Sequence, residues 1–200
     1  MASSVSKVTI GNMALGHIGT DNTIEAFTET SPQAKQIDLW YDFAREQALA
    51  EYDWNFARKR LAMSVHAEDP PSGVWAYRYQ YPSDAIVCRE IEKAPTETVV
   101  PFDIETAGTD NSLSVLTDRA TATMKYTRDV QDTNLFSPHF VQALGYLLAH
   151  YVAFALTRKK TVKEDMMTAY RQLVPLAAAH NFNESGASAP PEGGAVQARS

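Results

Sequence analysis

Carboxylates are the side chains with the widest chemical reach in this 200-residue chain. Glu90 and Glu92 stand two apart, as do Asp103 and Glu105. On a strand that spacing puts both members on one face, which suits a general acid and base but also describes any solvated strand edge. The five histidines, His17, His66, His139, His150 and His180, are scattered, and no two show the four-residue helical spacing of a zinc motif. Cys88 is the single cysteine, which excludes an internal disulfide and a multi-cysteine metal site. With no histidine partner suggested nearby, it reads as a buried structural thiol. The ALGHIG stretch at residues 14–19 lacks the spacing and the lysine of a phosphate loop, and no Gly-x-Ser-x-Gly elbow occurs. Tyr77, Tyr79 and Tyr81 could stack on bases or sugars, but their segment is not basic, so a sheet core or a subunit interface is the better reading. No catalytic residue, cofactor or metal follows from these patterns.

The elements that would position such groups are organised around residues 31–64. Ser31 suits a helix cap and Pro32 the first helical position, where a missing N–H costs nothing. Ala34, Ile37, Tyr41, Ala44 and Ala48 recur at three- and four-residue steps, and Trp40 and Leu49 widen the stripe. Asp38, Asp42, Arg45 and Glu46 fall mostly off it, on the side expected to face water. Tyr52, Trp54 and Phe56 then alternate, and 58–65 reads as a strand. One segment therefore carries the chain from a helical layer into a sheet, with three aromatics as core anchors at the corner.

A 44% hydrophobic content and 21% charge are ordinary for one soluble domain with an appendage. A net charge of −6 argues against gripping nucleic acid through a basic surface, though not against surrounding it. The start of the chain lacks the pattern of a signal peptide, and no apolar run is read as a bilayer span, so folding in a reducing cytosol is expected.

In chain order, 6–18 predicts a short helix with Ile10, Ala14 and Ile18 inward and Gly19 as a left-handed stop. Ile24 and Phe27 are expected to tuck back onto the core. After a Pro70-Pro71 loop, Trp75, Tyr77, Tyr79 and Tyr81 form one face of a strand, and Trp75, Tyr79 and Tyr81 are taken as anchors. Ala85 to Glu92 is another strand. From Val99 a meander of short strands follows, turning at Gly108, Thr109, Asp110 and Asn111. Ser137-Pro138 repeats the helix opening before a strong apolar stripe over 138–157. Thr161 and Glu164 suggest a capping box for a last helix over 162–181, which Pro175 should kink. Residues 183–200 hold little but Gly, Ala, Ser, Pro and Glu and predict a flexible tail. Helices, then strands, then helices argue an α+β fold: a helical bundle from both ends of a single domain over 1–182, with an antiparallel β insertion over 57–128.

Four stretches, NMALGHIG, YDFAREQALAEYDWNFARKRLAMS, WAYRYQYPSDAIVCREI and LFSPHFVQALGYLLAHYVAFALT, resemble the phage head-to-tail adaptor family, also described as tail tubular protein A-like or portal-proximal gatekeepers. The likeness runs from Asn12 to Thr157 and is most specific in EYDWNFARKR and YQYPSD; residues 99–118 are generic. It implies a structural virion protein rather than an enzyme, at the junction of portal vertex and tail. It further implies a dodecameric ring of identical subunits under the portal protein, with the β part facing a tail nozzle or tube. DNA would pass through without specific binding, and no membrane or cofactor would be involved. The loop Gly108, Thr109, Asp110 and Asn111 is the candidate tail contact. The terminal segment with Asn183, Ala187, Val196 and Arg199 is the candidate portal contact, since a segment without a core can order on a partner. The alternatives are a tail-associated glycan hydrolase using an acidic pair, and a packaging factor binding duplex DNA.

Overall fold

A computed structural model describes residues 5–183. The fold is α+β, with four helices and two three-stranded antiparallel sheets. Helix α1 (Lys7–His17), α2 (Pro32–Glu51) and α3 (Pro138–Thr157) each begin at a serine. The hydroxyls of Ser6, Ser31 and Ser137 accept the N–H groups of Thr9, Ala34 and Phe140, satisfying one otherwise unpaired donor per helix start. Gly19 ends the α1 turn at φ +74°, where a side chain would be strained. Beyond it the Asn12 side chain holds both backbone groups of Ile24, each at 2.9 Å, so Ile24 is buried as expected and Phe27 packs edge-on against Tyr41.

Helix α3 packs against α1, α2 and α4 (Lys160–Asn183). Its length and apolar composition would suffice for a bilayer span, contrary to the expectation that no run reaches that length. Here the same stripe, including Phe140, Leu144, Leu147, Leu148 and Val152, is the centre of the bundle core. Helix α4 starts one to two residues earlier than the capping box requires. Arg158, left-handed at φ 59°, ends α3, and Thr161 lies inside α4, exposed, rather than at its cap. The turn between these helices is too short to leave a separate cap at Thr161. Pro175 lies within α4, and the helix continues on both sides of it.

The corner after α2 is a short 3₁₀ turn, Asn55–Ala57, not an extended run; the alternation of Tyr52, Trp54 and Phe56 is produced by the turn. Trp54 is buried, donates from Nε1 to the Ala48 carbonyl at 2.8 Å, and meets Phe140 edge-on at 5.1 Å. Phe56 packs on Phe136 and Phe140. Tyr52 instead is 37% exposed, its ring edge to face with Trp54 at 5.9 Å.

Strands β1 (Arg58–Ala62), β2 (Tyr77–Gln80), β3 (Ala85–Ile91), β4 (Asp103–Thr106), β5 (Leu113–Thr117) and β6 (Thr123–Arg128) do not form a simple meander. The orders are β1-β6-β3 and β2-β5-β4, so the chain passes back and forth between two sheets. β1 is shorter than 58–65, because the chain beyond it leaves for the other sheet, where Val65 bridges Tyr79. Tyr79 and Val115 from the second sheet and Cys88, Ile91, Met124 and Tyr126 from the first bury a shared core, flanked by Tyr77 and Tyr81. Trp75 precedes β2, is half-buried and belongs to neither core, so it is not the anchor its alternation suggested. The strand starts at Tyr77 because only from there does β5 supply partners, Tyr77 pairing with Thr117.

Candidate functional site

The turn at Gly108–Asn111 joins β4 to β5, and it is tied down rather than free. Glu68, in the segment between β1 and β2, accepts the Thr109 N–H at 2.8 Å, and its carboxylate also faces Gly108. Hydrogen bonding from the Thr109 side chain, with the Thr109 and Gly108 N–H groups, holds Glu68 below the usual carboxylate range. The same carboxylate pairs at 3.4 Å with Arg78 of β2, which is buried and donates to Ser114 Oγ at 2.7 Å and to the Asp69 carbonyl. Ser114 in turn donates to the Glu105 carbonyl. A charged side chain thus covers the outer face of the second sheet, and Arg78 can be buried there because each of its contacts is an acceptor.

His66 completes the arrangement. It is 8% exposed; its Nδ1 accepts the Glu68 N–H at 3.0 Å, and its Nε2 lies 3.2 Å from Ser112 Oγ and 3.5 Å from an Asp110 oxygen. A backbone N–H can only donate, so Nδ1 carries no proton and Nε2–H is the donor to Ser112. Ser112 then donates to Asp110 at 2.7 Å, and the Ser112 N–H and hydroxyl hold that carboxyl below its ordinary range. This direction of donation runs opposite to a serine nucleophile activated by a histidine base. Along the sequence His66 is one of five scattered histidines and Arg78 a polar position between tyrosines, with no sign of their burial or partners. The only available signal was a lone cation inside an aromatic strand pattern.

The carboxylate pairs do not converge on a cleft. Glu90 pairs with Lys125 at 3.0 Å and Glu92 with Arg60. Asp103 and Glu105 lie on β4, whose four residues are all exposed. Cys88 is buried as expected, burial pushes its thiol pKa up, and it faces Tyr81. Distance in sequence misled for one histidine pair: His139 and His180 stack with ring centroids 4.1 Å apart. Among the described residues no group of three or more His, Cys, Asp or Glu side chains is placed to hold a metal.

The bundle carries a second candidate surface. Trp40 stacks on Tyr151 at 4.9 Å, and Phe43 meets Tyr151 at 5.4 Å. Trp40 is therefore an anchor between α2 and α3, whereas Leu39 and Phe43 beside it stand 64% and 54% exposed. Phe154, one turn beyond Tyr151, is half exposed as well. Further along α2, a cavity of about 400 Å³ opens between Gln47, Glu51, Tyr52 and the α4 residues Met167, Tyr170, Arg171, Val174 and Pro175. Of the terminal candidates, Asn183 is the last residue of α4, and Ala187, Val196 and Arg199 lie outside the described residues.

No protein-family model matches the chain, and no curated protein matches it.

Proposed function

We propose that the chain is a structural virion protein, a head-to-tail adaptor whose copies form a ring under the portal and let DNA pass to the tail. The observation that supports this reading best is the set of large apolar side chains, Leu39 and Phe43 on α2 and Phe154 on α3, that stand exposed on two helices packed against each other. Exposed apolar side chains beside an ordered aromatic stack suit a subunit made to assemble. The sequence motifs that resemble the adaptor family hold two of these residues, Phe43 in YDFAREQALAEYDWNFARKR, which begins on α2, and Phe154 in HFVQALGYLLAHYVAFALT on α3. The partners under this reading are the portal protein, neighbouring copies and a tail nozzle or tube.

The test is assembly. Purified chain, alone and with portal rings, is weighed by native mass measurement, and so is a Leu39→Asp/Phe43→Asp variant. The reading expects ring-sized species with the wild type and their loss in the variant, which should still unfold cooperatively with a melting temperature lowered only through the Phe43 ring contacts. A wild type that stays monomeric with portal present would overturn it.

A further inference from the structure

We infer that His66 is a proton-operated clasp, which ties the segment carrying Glu68 to the β4–β5 turn when neutral and releases it when protonated. The inference is independent of the adaptor reading. It stands on the direction of three hydrogen bonds. The Glu68 N–H donates into Nδ1 at 3.0 Å, Nε2–H reaches Ser112, and Glu68 in turn holds the Thr109 N–H. A second proton must enter at Nδ1. It would face another donor at hydrogen-bond distance, and the bond that shapes the turn from His66 to Glu68 is lost.

The surrounding charges decide which way the clasp moves. From its own segment the ring is neighboured by Glu68 and Asp69. From β2 comes Arg78, and from the β4–β5 turn Asp110. Only Asp110 lies within ion-pair distance, at 3.5 Å, and its side chain is 54% exposed, so water screens its attraction. Against it stand the burial of an added cation and the donor–donor conflict at Nδ1. Opening frees Glu68 from Thr109 and uncovers the outer face of the second sheet, where Arg78, Ser114 and Leu116 are buried. The tip of the β insertion would then present two different surfaces at two pH values.

The experiment uses the full chain and amide hydrogen exchange at pH 8 and pH 5, corrected for intrinsic rates, with the His66 ring nitrogens followed by NMR. The expected result is an Nε2–H ring at the higher pH. On acidification, protection at Glu68 and Thr109 should fall by about tenfold or more, while β6 amides stay protected. In His66→Asn the side-chain oxygen can replace Nδ1 as acceptor without titrating, so protection should persist at both pH values. Equal protection of Glu68 and Thr109 in the wild type across that range overturns the clasp. An Nδ1–H ring at pH 8 does the same. The wild-type titration decides the matter even if the asparagine variant fails to fold.

Discussion

Arg45 and Asp129 form an ion pair across the joint between the helical bundle and the exit from the last strand. The arginine is 1% exposed and also donates to the Val130 carbonyl at 3.1 Å. Its position on α2 suggested a solvent-facing residue, but the chain returning from β6 closes over it. Burial works to raise the Asp129 pKa, yet the hydrogen bonds from Arg45 and Gln131 outweigh it and hold the carboxyl below its ordinary range. Arg45→Ala should cost about 3 kcal/mol in urea unfolding, because Asp129 and the Val130 carbonyl lose their shared partner. A loss below 1 kcal/mol, the range of an exposed pair, would show that the joint does not depend on it.

Acid stability follows from the same chemistry. Asp53, Asp84 and Asp129 all sit below their ordinary range. In each, burial opposes the shift and hydrogen-bonded partners prevail: Arg58 and Lys125 for Asp53, Lys59 and Tyr126 for Asp84. A depressed carboxylate contributes stability that is present above its unfolded value, about 3.9, and lost as pH falls through the folded value. Stability measured by denaturant titration should therefore fall from about pH 4 downwards. A curve that stays level to pH 2.5 would contradict the pairings.

Two glycines of α1 should respond oppositely to the same substitution. A Cβ on Gly11 would sit 3.0 Å from Ile37 Cγ2, a fully buried atom with little room to yield. A Cβ on Gly16 would meet nothing within 4 Å. Gly16→Ala should stabilise by up to about 1 kcal/mol through helix propensity. In Gly11→Ala the same gain is offset by overpacking of about 1–3 kcal/mol, so the melting temperature should fall.

Trp54 couples helix, turn and bundle through its ring contacts and its bond to Ala48. Trp54→Ala should cost about 3–5 kcal/mol. Trp54→Phe keeps most of the packing and should lose less. An unchanged denaturant midpoint for the alanine variant would reject the corner as a core element.

Thr161→Ala, by contrast, should change stability by no more than about 0.5 kcal/mol, because Thr161 is an exposed residue inside α4 and caps nothing. A loss near 1 kcal/mol would indicate that the helix begins at Thr161 after all.

The helical elements were legible along the chain because their determinants are local. Ser31-Pro32 and Ser137-Pro138 start helices by cap geometry, and the stripes of Ile37, Tyr41, Ala44 and of Val141, Leu144, Leu148 mark their inner faces by period alone, although Phe154, expected to broaden the second stripe, is half exposed. Strand positions were legible for the same reason, and so was the burial of Cys88. Strand partners were not. Alternation shows that a residue lies on a strand, while the order β1-β6-β3 and β2-β5-β4 depends on which edges meet. The candidate site illustrates the same division. Gly108 to Asn111 announced a turn by residue type, but whether that turn is free rests on Glu68, some forty residues earlier, reaching the Thr109 N–H. Arg45, Arg78 and His66 are buried because acceptors distant in sequence converge on them: Asp129 and Val130 in one case, Ser114 and Asp69 in the next, the Ser112–Asp110 pair in the last. A polar side chain carries no local sign of such partners, since the burial of a charge is a property of the surroundings that the folded chain brings to it.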